Sequence, residues 1–295
     1  MDIVALFYDL DKFAIEFEPQ WKRRLLADGK VHRNRSSAMC LGEVMTLLVL
    51  FHNSNYRTFK HFYEEHVCEH LQAEFPHLLS YSRFVERIPM AFAALTAFIQ
   101  TRLVCCSGIS FIDSTPLRVC HNLRIKHHKV MEGLAERGKT STGWFYGFKL
   151  HLVIDDCGQL LNICFTPGNV SDLTMAPALT ENLFGKLVGD KGYISQALFE
   201  QLFSRRLQLI TRIKRNMKNK LMLLFDKLLL RKRAVVETVI DQLKNISQIE
   251  HSRHRSVINY FADIVAGLIA YTYREKLPSL NLRPDQLRLL EGKSI

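Results

Sequence analysis

Apolar residues recur every three to four positions through the first hundred residues, then switch near Gly108 to short runs and alternations. The first regime predicts helices over Ile3–Phe17, Leu41–Phe51, Phe59–Val67 and Phe84–Val104. Ser80 and Ser82 are candidate caps for the last of these. The second regime opens with Ile109–Asp113, a short apolar run. It is expected to stop near Asp113, because Pro116 cannot continue an interior strand. Tyr146–Ile154 alternates cleanly, Asp155-Asp156-Cys157-Gly158 is a turn signal, and Leu160–Phe165 is the expected return strand. Ser171 is placed to cap a helix reaching about Leu183. A strand over Leu187–Gly189, a helix from Ser195 to about Arg205 and a strand over Leu207–Ile213 follow. Helices over Ala234–Ile249 and Ser256–Arg274 complete the pattern, with a last helical turn near Asp285–Leu290.

Three strands in succession followed by alternating helix and strand (βββαβαβα) is the ribonuclease-H-like plan. The expected architecture is therefore an all-α region over residues 1–106, assigned to DNA binding or dimerisation, an α/β RNase H-like catalytic domain with a mixed sheet over 107–275, and a short tail over 276–295.

Composition narrows the function. The chain has 295 residues, 47% apolar and 23% charged, so a sizeable core is available. Seven cysteines with no C-x-x-C pair argue against a disulfide framework or a zinc ribbon. The first residues carry acids rather than a basic leader, and no apolar run is long enough to span a bilayer. A reduced, cytoplasmic protein without membrane attachment is expected. The net charge of +11 points to a polyanionic partner, nucleic acid before membrane. That excess is uneven: between Arg205 and Arg233 there are eleven Lys/Arg and one acid, Asp226. A phosphate-tracking surface is the preferred reading of this stretch, and Arg212, Lys214 and Arg215 are its candidate contacts. Lys22, Arg23, Arg24, Lys30, Arg33 and Arg35 form a basic patch in the helical region. A third cluster, with His127 and Lys129, follows the first strand and is interleaved with Trp144 and Tyr146.

Three acids sit where a phosphodiester chemistry would need them. Asp113 ends the first strand, Asp190 follows the fourth, and Glu237 lies on the helix after the fifth. Each alone could be a turn residue or a solvated helix residue. Together, in that order on those elements, they can converge. In-line displacement at phosphorus needs the attacking oxygen activated and the leaving oxygen stabilised, which two Mg²⁺ (or Mn²⁺) ions held by carboxylates accomplish. Arg233, Glu237 and Lys244 are spaced by four and seven residues, so they fall near one helix face. Asp241, four residues beyond Glu237, competes for the third ligand position.

The segments FIDST, VGDKGY and RKRAVVETVIDQLK resemble the three acidic blocks of bacterial insertion-sequence DDE transposases, and TPGNVSD resembles the same branch. The last block is similar to a Y-x2-R-x3-E-x6-K signature, matched by Arg233, Glu237 and Lys244, with Leu230 at the tyrosine position. The resemblance covers about residues 108–274. It implies Asp113, Asp190 and Glu237 as catalytic, metal-holding residues. It also implies Mg²⁺-dependent cleavage of the element's terminal inverted repeats and joining of the freed 3′-OH to target DNA. Double-stranded DNA is then the partner, and two element ends must meet, so a homodimer or larger assembly at the nucleoid is expected. Arg233, Lys244 and Lys191 are candidate DNA contacts. A metal-dependent nuclease of the same fold without strand transfer, or an inactive DNA-binding derivative, would show similar blocks.

Overall fold

The computed structural model describes residues 2–29, 37–212, 222–250 and 254–280, and the chain divides into two compact units. One comprises residues 1–102 with 242–275, the other residues 103–241 with 276–295. The expected turn near Asp285–Leu290 lies outside the described residues.

The helical unit begins with α1 (Ile3–Ala27) and α2 (Leu41–Phe51). An irregular stretch follows: α3 (Phe59–His61), a π-helical turn (Phe62–Val67) and α4 (Cys68–His70). α5 (Tyr81–Arg102) and, much later in the chain, α10 (Val257–Thr272) complete it. α1 runs ten residues past the expected end at Phe17, through Pro19. Both Pro19 and Ile15, whose carbonyl loses its i+4 donor, are exposed, so water can satisfy that oxygen. α2 starts at a capping box: Cys40 Sγ accepts from Glu43 N, and Glu43 reaches back to Cys40 N at 2.6 Å. α10 is buried on all sides from Ala262 to Tyr271, so it needs helices around it. It packs on α5 and α2. That is why Gln242–Glu275, expected with the catalytic domain, cluster with the helices. The described helices include none long and apolar enough to cross a membrane.

The second unit is built on a mixed sheet. Its strands are β1 (Ile109–Cys120), β2 (Glu136–Thr140), β3 (Gly143–Asp155), β4 (Leu160–Pro167), β5 (Gly185–Gly189) and β6 (Leu207–Thr211). The helices are α6 (Asp172–Leu179), α7 (Gln196–Ser204), α8 (Leu224–Lys232) and α9 (Ala234–Asp241). β3 pairs antiparallel with β1, and β1, β5 and β6 run parallel in that order. β2 and β4 share the outer edge of β3, pairing with its residues 143–147 and 148–154.

Two expectations change here. β1 does not stop at Asp113 but continues to Cys120, with Pro116 opposite Lys149. β5 pairs with β1 only at Ile109–Phe111, so at Pro116 the strand has a neighbour on one side alone. A missing N–H is tolerated on such an unpaired side. Four strands, not three, precede α6. The additional β2 is the polar sequence ERGKT, which has no apolar alternation to reveal it.

One sheet face carries Ile112, Val153, Leu187 and Leu207, buried against Leu179, Leu198 and Leu202 of α6 and α7. On the opposite face, Lys186 of β5 forms a partly buried ion pair with Asp226 of α8 at 2.5 Å. α9 packs against β1.

Candidate active site

The parallel pairing of β1 and β5 fixes where two of the acids fall. Phe111 is paired with Val188. Asp113 and Asp190 each lie two residues further on, so by strand alternation both point to the face of Phe111 and Val188. This is the face opposite Ile112 and Leu187, and therefore the α9 side of the sheet.

α9 brings the third acid. Arg233 sits at the break between α8 and α9, and Glu237 lies one turn into α9. Arg233 Nη2 donates to Asp113 Oδ2 at 2.7 Å, and Nη1 donates to Glu237 Oε1 at 2.6 Å. One guanidinium thus bridges two carboxylates that are 124 positions apart in sequence. Its side chain is 13% exposed, that of Asp113 17%, and that of Glu237 60%. Asp113 Oδ1 also accepts from the Ser114 amide at 2.9 Å. Burial nevertheless pushes the Asp113 carboxyl up to about 6. Arg233 and the Ser114 amide oppose that rise, while the charges of Asp190 and Glu237 add to it. Asp190 itself is exposed, immediately before the short 3-10 turn Lys191–Tyr193.

Tyr193, at the end of that turn, packs into the core on the α6 and α7 side of the sheet. It is 2% exposed, and its hydroxyl has no hydrogen-bond partner. Burial raises its pKa, followed by the fields of Asp172 and Asp113, with Arg233 opposing and Asp190 adding. Asp172, in the first turn of α6, accepts from Lys149 Nζ at 3.0 Å and lies 3.8 Å from His151 Nδ1. His151 is fully buried, its Nε2 meets Thr166 Oγ1 at 2.8 Å, and burial lowers its pKa. Lys149, His151 and Asp172 were not grouped by sequence reasoning, and they lie on the α6 side of the sheet, behind the acids: Leu152 is the residue of β3 opposite Asp113, and Lys149 and His151 alternate onto the face of Val153 and Ile112. TPGNVSD contains Asp172, but only the packing of α6 on β3 shows its partners.

The oxygen-only donor set suits a hard divalent ion. The Arg233 guanidinium is lodged between Asp113 and Glu237, where it balances part of their charge. The oxygens of the three acids do not all lie within 4.8 Å of one another. Among the described residues the group that does converge so closely is Asp155, Asp156 and Cys157. That group is the β3–β4 turn: Asp155 Oδ1 accepts from the amides of Cys157 and Gln159, which accounts for its geometry.

The remaining sequence candidates are dispersed. Lys191 is exposed next to Asp190, and Arg212 is exposed just past β6, whose Thr211 pairs with Gly189. Lys214 and Arg215 lie outside the described residues, as do Lys30, Arg33 and Arg35. His127 and Lys129 are exposed in the β1–β2 connection. Trp144 is 53% exposed with Arg137 and Lys139 over its ring, whereas Tyr146 is buried and donates to the Met131 carbonyl. Lys244 lies beyond α9 in a π-helical segment, Gln242–Ile246, and pairs with Glu250 at 2.8 Å. The π-helical turn breaks the periodicity that placed it on the face of Glu237. Leu230 is buried on α8.

Acidic side chains within β1 and just after β5, two adjacent parallel strands, facing a helix that supplies a third, define this as an α/β domain with a carboxylate-centred site. The sequence pattern described as the transposase DDE domain matches residues 104–257, a little over half of the chain. The chain belongs to that family. Among solved structures it is similar to the piggyBac transposase synaptic complex with hairpin DNA, at 12% identity and a TM-score of 0.41. That similarity covers 74% of this chain and 52% of the other, so this chain spans about half the length of that transposase chain. No curated protein matches it.

Proposed function

We propose that this chain is a DNA transposase of an insertion sequence, with an RNase H-like catalytic domain centred on Asp113, Asp190 and Glu237. The observation that carries the reading is the Arg233 bridge between Asp113 and Glu237, beside the in-register Asp190. The sheet order β2-β3-β1-β5-β6, with β4 sharing the β3 edge, antiparallel then parallel, supports the RNase H-like assignment, with β2 as an addition to it.

In this reading Asp113 and Asp190 hold divalent ions, Mg²⁺ or Mn²⁺, and Glu237 completes the set. When bound, such ions activate the attacking oxygen and stabilise the leaving oxygen of an in-line displacement. The chain's own residues do the rest. The Ser114 amide orients Asp113 by holding Oδ1, leaving Oδ2 toward α9. Arg233 keeps the acids together before substrate arrives, and its five donors suit a phosphate afterwards. Lys191 and Arg212, exposed beside Asp190, contact flanking phosphates of double-stranded DNA. Pairing of two element ends requires a homodimer or larger assembly.

The test is a cleavage and joining assay on labelled element-end DNA with Mg²⁺, comparing wild type with Asp190→Asn. Loss of both steps in the variant is expected. Equal activity removes the proposed site, and cleavage without joining by the wild type assigns a nuclease instead.

A further inference from the structure

The helical unit contains a cleft of about 1120 Å³, above the usual range of small-ligand pockets. Its walls come from the N-terminal ends of three helices: α3 after Thr58, α5 at Tyr81 and Ser82, and α10 after Ser256. Thr58 caps α3 through the His61 amide, and Ser256 caps α10 through the Asn259 amide. α5 and α10 have 22 and 16 residues, so both direct the positive ends of long-helix dipoles into the same space.

The side chains at the rim have the same sign. Arg57, Lys60 and Arg255 line the cleft and are exposed. Neither arginine forms an ion pair with a described residue, whereas Lys60 is partly offset by Glu64 at 3.6 Å and lies 6.0 Å from the Tyr81 ring centre. The acid within the cleft, Asp263, is flanked by His52 and His254, each at 3.5 Å. Leu48, Val85 and Ile88 also line the cleft, so the charge it presents is confined to the rim. The open, cationic rim fits a nucleic acid backbone better than a small enclosed anion.

We infer that this cleft is a second DNA-contact site, in which Arg57 and Arg255 hold backbone phosphates of duplex DNA away from the carboxylate centre. The choice of DNA rests on the transposase reading, but the cleft itself does not.

The experiment measures binding of the full chain to a fluorescent duplex of about 30 base pairs in EDTA, between about 50 and 200 mM salt. Because both arginines are exposed, Arg57→Gln/Arg255→Gln is expected to leave circular dichroism and thermal unfolding unchanged. Loss of two phosphate contacts should flatten the slope of log K against log salt by about 2 and weaken binding by at least about tenfold. Arg57→Lys/Arg255→Lys should retain most of the slope. Unchanged affinity and slope in a folded Gln variant overturn the inference. So does a loss confined to inorganic phosphate with duplex binding intact, which would assign a small anion. Asp190→Asn separates the two proposals. If that variant cleaves normally the carboxylate reading fails, while a flattened salt slope in the Gln variant still supports the cleft.

Discussion

Replacing Arg233 by Gln removes the charge that bridges Asp113 and Glu237 while keeping most of the side-chain volume. Its cost follows from the geometry. Stripping one partner from a fully buried ion pair costs about 3–5 kcal/mol. Here Arg233 and Asp113 retain 13% and 17% exposure, so water offsets part of the penalty and about 2–3 kcal/mol is expected. The Glu237 limb is 60% exposed and adds within the surface range of about 0–1 kcal/mol. The loss should depend on pH in a definite direction. The folded Asp113 carboxyl is raised from 3.8 to about 6. Its protonation therefore contributes stability that is present below pH 3.8 and lost as pH rises through about 6. At pH 8 the variant leaves a largely buried carboxylate without its guanidinium. At pH 5 much of that carboxyl is protonated in either protein, so the cost of Arg233→Gln should shrink. The protein has two tryptophans, Trp21 on α1 and Trp144 on β3. In a Trp21→Phe background, Trp144 fluorescence during urea unfolding in EDTA reports on the sheet unit alone. A double-mutant cycle with Asp113→Asn should assign most of the loss at pH 8 to the pair. A cost below about 0.5 kcal/mol at pH 8, or the same cost at pH 5, would refute the electrostatic account.

Two smaller perturbations probe the surroundings. His151 is fully buried with its pKa lowered from 6.5, so its neutral form is part of the folded state. The stability it contributes is present above 6.5 and lost as pH falls below it; His151→Gln should remove that acid-side slope in urea midpoints measured from pH 7.5 to 5. Tyr193→Phe deletes a buried hydroxyl that has no partner, so thermal stability should hold or rise by up to about 1 kcal/mol. A loss above 1 kcal/mol would mean that the hydroxyl is bonded in solution.

Much of this site was legible because its signals are local. Ile109–Asp113 and Leu187–Gly189 are apolar runs that stop at acids, and Ser195 and Ser256 cap the helices they announce, whereas Ser171 precedes α6 without a side-chain cap bond and that helix ends at Leu179, not Leu183. What was missed depends on partners distant in sequence. Pro116 looked like a strand terminator because its missing donor matters only where a neighbour pairs on that side, and β5 ends before it. β2 is polar and borrows its order from β3. Lys149 and His151 looked like the solvent face of an alternating strand, yet β3 is covered on both faces and Asp172 receives them from α6. α8 was hidden in the basic stretch, although Phe225, Leu229 and Leu230 mark its buried stripe.

The basic stretch itself does several jobs, and this bears on how DNA could reach the acids. Arg205 donates to the Pro177 carbonyl, Lys232 to the Leu280 carbonyl and Arg233 to two carboxylates, so these three are structural before they are phosphate contacts. Lys227 and Arg231 remain exposed on α8, and Arg212 beside Asp190. Three carboxylates against one guanidinium leave the centre with a net charge of about −2 once Asp113 is ionised, in a chain whose overall charge is +11. A phosphodiester placed there would face like charge until that deficit is neutralised. Duplex binding at pH 8 in EDTA should therefore be no weaker for Asp190→Asn than for wild type. Adding Mg²⁺ should tighten the wild type more than the variant, because the ion has more carboxylate to neutralise. Weaker metal-free binding by Asp190→Asn, or equal Mg²⁺ enhancement in both, would show that these acids do not form the barrier that a divalent ion must remove.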